Sequence, residues 1–420
     1  MLLTNTRFIG EDLTLHHKDI RIEDETIVDI GDHLRRVDGE SDLDCSALLI
    51  LPALADCHVH SPDTLLRGLF TGVEMEHWCN DLPQGRMQAQ LFEYLDHAVG
   101  SEDFETLVLF SYLTYLHNGV GFIVETGQAD DSHKILASCA ERIGLKALVD
   151  WYDELPTEES GCARIAIGQH LPEEEDLTET LLEDAVRRKR ERPQATLMTH
   201  CQENRWRVDE ILRKFGKSTV RLMHEHGLLD DRSLLFHCID VSQDDIELLA
   251  MSKATAVCCP VSTMRIGEGM MPVMRMRERG INLVLGTDFP DHDIWDSMRF
   301  LATSLSASPS RMHDVPSLVF SMATRYAQPV GRQVAYSGVI ACGHRADLCF
   351  LRHEWEAGPL IGNTGFSTVP DNLITWGHRS LVRHLMINGR FVLFDGFCTT
   401  VDERAIRDSY ARILQTLFPN

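Results

Sequence analysis

From residue 49 onward, short apolar runs alternate with amphipathic helical stretches, and nothing else in the chain restricts its fold as tightly. The runs at 49–57, 119–125, 146–150, 164–168, 196–200, 234–237, 255–259 and 282–286 read as strands. Between them, 176–192, 205–215, 244–253 and 271–279 carry helical periodicity. Ser242-Gln243-Asp244-Asp245 resembles a capping box opening one of these helices. Such repetition is the mark of βα units around a parallel sheet. Eight units over roughly 280 residues match the size of a (β/α)8 barrel.

The two ends of the chain differ from this pattern. Segments 2–8, 15–22 and 26–31 read as short strands with turns, and strand-like segments return at 346–351 and 381–393. Both ends are therefore expected to join in one small β domain beside the barrel. The expected division is 1–53, 54–336 and 337–420, the last including a C-terminal helix.

Composition removes several function classes. With 44% apolar and 25% charged residues the chain is ordinary globular protein, not disordered, collagenous or coiled coil. Its longest apolar run, 47–55, is half of the roughly 18 residues a membrane span needs. The N-terminus shows no basic segment followed by an apolar stretch, so a cytoplasmic protein without a signal peptide is expected. Sixty-four acidic against 40 basic residues give −24, so a nucleic acid would meet net repulsion. Arg187-Arg188-Lys189-Arg190 reads as one solvated helix face. Twelve cysteines without a Cys-x-x-Cys pair read as reduced, buried thiols.

The chemistry is carried by residues at strand ends. In Asp56-Cys57-His58-Val59-His60, His58 and His60 lie two apart and share one face of a strand. Both would project at the C-terminal mouth of a barrel, where such enzymes keep their active sites. A lone His-x-His is commonly chance. Here, however, Thr199-His200-Cys201-Gln202-Glu203, Phe236-His237-Cys238 and Leu285-Gly286-Thr287-Asp288 end the fifth, sixth and eighth predicted strands on the same rim. Taken singly, His200 or Asp288 is commonly just a satisfied strand-end residue. A catalytic metal needs three or four protein ligands and an open position for water, which His58, His60, His200 and Asp288 would supply. One divalent ion is expected, zinc first, with iron or manganese as alternatives.

This constellation resembles the amidohydrolase superfamily, in particular the aminohydrolase branch. That branch holds S-adenosylhomocysteine and methylthioadenosine deaminases, cytosine and guanine deaminases, and triazine hydrolases. Residues 51–60 are similar to the first-strand motif, with Ala53 where glycine is usual. Thr64-Leu65-Leu66-Arg67-Gly68, Cys259-Pro260-Val261-Ser262 and the segments 267–273, 343–348 and 382–390 extend the resemblance over nearly the whole chain. It implies a TIM barrel with a small composite β-sandwich built from both chain ends. It also implies His58, His60, His200 and Asp288 as metal ligands, and Glu203 as proton shuttle. His237 would orient water or substrate, and His170 would contact substrate. The implied reaction is deamination of a nitrogen heterocycle, a small molecule, by a homodimeric enzyme. As bland alternatives, Glu203 would be a solvated first-turn glutamate, and Cys201, Cys238, Cys258 and Cys259 are read as packing residues.

Some positions depart from the branch. Phe289-Pro290-Asp291-His292 replaces small residues after the eighth strand, so Asp291 and His292 are candidate substrate contacts, or equally plain loop residues. Asp240 stands where relatives carry a second histidine, which is expected to change the pocket's polarity. Trp78 is similar to a substrate-side tryptophan, and a core tryptophan would read the same way. The Pro-x-Glu that holds ribose hydroxyls in nucleoside-acting members is replaced by Asp81-Leu82-Pro83-Gln84-Gly85. A non-nucleoside substrate is therefore expected. Competing readings are hydrolysis of another C–N or C–Cl bond, as in triazine or cyclic-amide hydrolases, and a catalytically silent binding relative.

Overall fold

The computed structural model describes residues 1–127, 132–152, 162–289, 292–307, 314–352, 358–363 and 366–419. At its centre eight strands run parallel and in chain order, each paired with its predecessor: Leu54–Val59, Val120–Glu125, Lys146–Trp151, Ile165–His170, Leu197–Cys201, Ser233–His237, Thr255–Cys258 and Asn282–Leu285. A bridge between Val59 and Asp288 joins the last strand end to the first, making the sheet a (β/α)8 barrel. Two apolar layers hold it. Phe122, Val124, Leu148, Met198, Phe236, Val257 and Val284 fill the interior, while Ile123, Val149, Leu197 and Leu235 face the surrounding helices. Alternate residues serve alternate layers, which is the period-two pattern of a sheet buried on both faces.

The apolar run read as one strand at 49–57 is two strands. Leu48–Pro52 belongs to a seven-stranded sheet and Leu54–Val59 to the barrel. Ala53 is the pivot: its N–H donates to the Asp347 carbonyl (2.9 Å) and its carbonyl accepts from the Tyr336 hydroxyl (2.7 Å). An unbroken hydrophobic string hides such a corner, because both strands are buried on all sides. The segment at 381–393 is likewise a hairpin, Val382–Ile387 and Arg390–Phe394.

Leu48–Pro52 pairs antiparallel with Leu348–Arg352, so strands from both chain ends share the seven-stranded sheet. A four-stranded sheet containing Leu2–Thr4, Asp19–Glu23 and Thr26–Gly31 packs on it through Leu3, Ile20, Ile22, Phe8, Ile50 and Phe350. This is the composite β-sandwich. The helix Glu403–Leu417 packs on the barrel helix Glu102–His117, with Tyr410 stacked on Phe110 at 3.8 Å. The capping box forms as read, Ser242 and Asp245 bonding reciprocally at the start of Gln243–Ser252. The helix expected from 176 begins at Glu179 instead, capped by Thr178, because Glu174–Asp176 forms a separate 3-10 turn. No helix of the described residues is long and apolar enough to cross a membrane.

Barrel and sandwich are tied by a buried ion pair. Lys146, at the start of the third barrel strand, places Nζ 2.6 Å from Asp347 Oδ2 and donates to the Ala335 carbonyl at 2.9 Å. Asp347 Oδ1 accepts the Asn388 N–H at 2.9 Å. Removing one partner strands a charge in the interior, which costs about 3–5 kcal/mol. Lys146→Met should therefore lower the urea midpoint by that equivalent. Adding Asp347→Asn should recover most of the loss, since no unpaired charge then remains. Equal midpoints for wild type and Lys146→Met would show that the pair contributes nothing.

Candidate active site

Backbone geometry at the C-terminal rim is unusual where the chemistry-bearing residues stand. Gln202, His237, Cys238 and Asp288, at the ends of the fifth, sixth and eighth strands, have φ of 48°, 70°, 46° and 62°. Non-glycine residues in this left-handed region cost about 1–3 kcal/mol each and persist where surrounding contacts over-determine them. At Asp288 those contacts are explicit. Its N–H donates to the His58 carbonyl (2.8 Å), while the buried Asp56 carboxylate accepts the N–H and hydroxyl of Thr287 at 2.8 and 2.7 Å. The same seam that closes the barrel thus sets Asp288 beside the first-strand histidines.

Pairing slips between Asp56 and Val59, so the first strand is bulged where it carries His58. His58 stacks on Phe236 in the interior, with centroids 3.9 Å apart. Its Nδ1 lies 3.1 Å from the Thr126 hydroxyl, leaving Nε2 buried and without a hydrogen-bond partner among the described residues. His58 Nε2 and His60 Nε2 stand 3.3 and 3.4 Å from the same oxygen, Oδ1 of Asp288. Oδ2 accepts the Ser262 hydroxyl at 2.6 Å. His200 turns Nδ1 to Glu173 at 2.9 Å, which leaves Nε2 for the centre. One ligand-type atom each of His58, His60 and His200 lies within 4.8 Å of the others.

Electrostatics suit a cation. Burial drives His58 down to about 4 and His60 to about 3, so both imidazoles are neutral near pH 7, the form that ligates metals. Burial alone would raise Asp288, but His58, His237 and His60 outweigh it and hold the carboxyl well below its usual range. The imidazoles of His58, His60 and His200, with Nε2 of His58 orphaned, and the Asp288 carboxylate beside the first two are donors of the kind that fits a divalent ion of the zinc type.

Glu203 and His237 flank this cluster. Glu203 is fully buried, and burial pushes its carboxyl up to about 8 against the pull of Arg207. Its Oε1 lies 3.5 Å from His237 Nε2, and neither His237 nitrogen has a hydrogen bond among the described residues. The buried His170 ring lies 5.5 Å from that of His200, its Nε2 without a hydrogen bond among the described residues.

The remaining sequence candidates separate. Trp78 donates Nε1–H to the Val73 carbonyl (2.9 Å) and packs on Phe70 and Phe289, the latter ring touching His60 at 6.0 Å. His292 is buried rather than looped into solvent, with Nδ1 3.1 Å from the Tyr115 hydroxyl. Asp291 lies outside the described residues. Asp240 pairs with exposed Arg205 at 3.2 Å. All twelve cysteines are free; Cys201, Cys238 and Cys258 pack against the helices and Cys259 inside the barrel.

Sequence reading missed Asp56, Thr126, Glu173, Arg207 and Ser262. Arg207 had a signal, standing four residues after Glu203 at the start of a helix. Glu173 had none, because Glu173-Glu174-Glu175-Asp176 looks like a solvated acidic run. Yet Glu174 is fully buried, its Oε1 accepting the Gln202 N–H at 2.9 Å.

Comparison with known proteins agrees with this architecture. The 5-methylthioadenosine/S-adenosylhomocysteine deaminase of Pyrococcus furiosus is 26% identical over 433 residues, covering 99% of this chain and 100% of that enzyme. The crystal structure of an adenosine deaminase from Xanthomonas campestris with bound zinc superposes with a TM-score of 0.83 at 18% identity, covering 98% of both chains. The guanine deaminase of E. coli gives 0.74 at 18% identity, over 94% of this chain and 99% of that one. The sequence profile of the amidohydrolase family matches residues 49–392, from the last sandwich strand before the barrel to the hairpin after it, and the chain belongs to that family.

Proposed function

We propose that the protein is a metal-dependent aminohydrolase that releases ammonia from an amino-substituted nitrogen heterocycle. The observation that carries the reading is the convergence of His58 and His60 on one Asp288 oxygen, with Glu203 and His237 buried beside them. Similarity to deaminases along the full chain supports it. Zinc, a homodimer and a cytoplasmic location complete the proposal.

In this reading His58, His60, His200 and Asp288 hold the ion, which would lower the pKa of a bound water so that a nucleophile exists near neutral pH. Asp288 would take a proton on its carboxylate from the attacking water, with the Ser262 hydroxyl holding Oδ2. Glu203, neutral below about 8, gives its proton from Oε1 to a ring nitrogen of the substrate. His237 orients the oxygen that adds to the amine-bearing carbon. Water thus adds across the ring C=N bond. The exocyclic C–N bond then breaks as its nitrogen takes the proton held by Asp288 and leaves as ammonia. The hydroxyl proton returns to Glu203 as the C=O forms, and no redox change occurs.

The substrate we propose is a free base or another non-nucleoside heterocycle. Gly85 is buried at the start of the helix Pro83–Ala98, and a Cβ there would stand 2.4 Å from the Asn80 carbonyl oxygen. A ribose-binding glutamate therefore has no room at this position. Asp81 is exposed and offers no buried replacement. Trp78, Phe289, His170, Asp291 and His292 are proposed as the substrate's surroundings.

Three outcomes test this proposal. Purified enzyme should carry about one equivalent of divalent metal, lost with activity on chelation, and Ala at His58, His60, His200 or Asp288 should cut metal content sharply. A fully active metal-free protein would end the proposal. Glu203→Gln should keep the ion and the fold while turnover falls by roughly two to four orders of magnitude, measured by ammonia release. Normal turnover would remove Glu203 from the chemistry. On a panel of aminopurines, aminopyrimidines, pterins and triazines paired with nucleosides, the missing acceptor should disfavour ribosides. Each lost charged hydrogen bond costs roughly 1.5–3 kcal/mol, about ten- to over a hundred-fold in kcat/KM. Higher kcat/KM for methylthioadenosine than for every free base would refute the non-nucleoside assignment.

A further inference from the structure

A single buried guanidinium connects the proton-transferring carboxylate to the metal side of the site. Arg207 stands on the helix Arg205–Phe215, whose N-cap Asn204 accepts the Arg207 N–H at 2.9 Å. That cap places the side chain one turn beyond Glu203, where only 7% of it reaches solvent. Its NH1 donates to Glu203 Oε2 at 2.8 Å and lies equally close to Glu173 Oε2. Nε lies 2.9 Å from Glu175 Oε2. Glu173 is shared: its other oxygen, Oε1, is the atom 2.9 Å from His200 Nδ1. A continuous polar chain therefore runs Glu203–Arg207–Glu173–His200, joining loops after the fourth and fifth barrel strands.

Each link has a directional consequence. Arg207 occupies Oε2 of Glu203, so Oε1 is the oxygen left to face His237. A carboxylate 2.9 Å from Nδ1 of His200 favours the tautomer protonated there and leaves Nε2 free, an arrangement that orients metal-binding histidines generally. Without the guanidinium, Oε2 of Glu203 would lose its donor and Oε2 of Glu173 the cation beside it. A planar fork of five donors serves three carboxylates at once, which the point charge of lysine does not do.

We propose that Arg207 is a positioning residue for the reaction, setting the orientation of Glu203 directly and that of His200 through Glu173. The kinetic half of this inference rests on the deaminase reading above; the metal half does not.

The test uses the full-length, zinc-loaded enzyme and its variants. Arg207→Lys keeps the charge but loses the fork. It should lower kcat at least tenfold per bound zinc, with KM within threefold of wild type on the best heterocycle of the panel. Glu173→Gln, which removes the charge from the arm to His200, should speed zinc release into excess EDTA by 10–100-fold, read with a metallochromic indicator and no substrate. Its kcat at saturating zinc should fall less than that of Arg207→Lys. A merely structural Arg207 would lower the melting temperature of Arg207→Lys and leave kcat per bound zinc within threefold, which overturns the proposal. Wild-type zinc release in Glu173→Gln also overturns it, and decides alone if Arg207→Lys does not fold. If wild type releases ammonia from nothing in the panel, the deaminase reading fails, while zinc release still judges the link to His200.

Discussion

The seam between the first and last barrel strands is the constraint on which the site depends. Asp56, buried without a cationic partner among its hydrogen bonds, accepts both donors of Thr287, and Asp288 donates its N–H to the His58 carbonyl. These bonds close the cylinder, and they also force the φ of 62° that aims Asp288 at His58 and His60. Burial pushes Asp56 up to about 7, so it resists ionisation, and the Thr287 bonds offset part of that cost. Closure of the barrel and assembly of the cluster are one event.

Around that seam the rim is organised by charge. Asp288 and Glu203 are both buried carboxylates, yet their surroundings drive them apart. Histidines hold Asp288 ionised, while burial raises Glu203 to about 8. Two acidic groups with opposite protonation at one pH can serve as base and acid in the same cycle. The interior layer below them, with Phe236 under His58, keeps water from the rear of the site and fixes the imidazole planes.

The sandwich contributes nothing to the cluster directly. Its role is to hold the barrel's N-terminal end, through the Ala53 corner and the Lys146–Asp347 pair. Stability and chemistry thus sit at opposite ends of the parallel strands, as is usual for this architecture.

Much of this was legible in the chain because strand periodicity and strand-end residues are local properties. The alternation of apolar runs and amphipathic helices determined the barrel, and His58, His60, His200, His237 and Asp288 each declared themselves by following such a run. Glu203 was visible for the same reason, three residues past His200. What the chain could not show is where non-adjacent loops meet. An acidic run such as 173–176 reads as solvated, and only packing of the fourth loop against Arg207 draws Glu173 partly out of solvent and beside His200. The corner at Ala53 was hidden because both strands it joins are fully apolar. His292 could have stood in solvent or in the interior, since its burial rests on Tyr115, 177 residues earlier. Sequence determined which side chains stand on the rim. Tertiary structure decided which of their atoms are already engaged, because that depends on partners brought close by barrel closure alone.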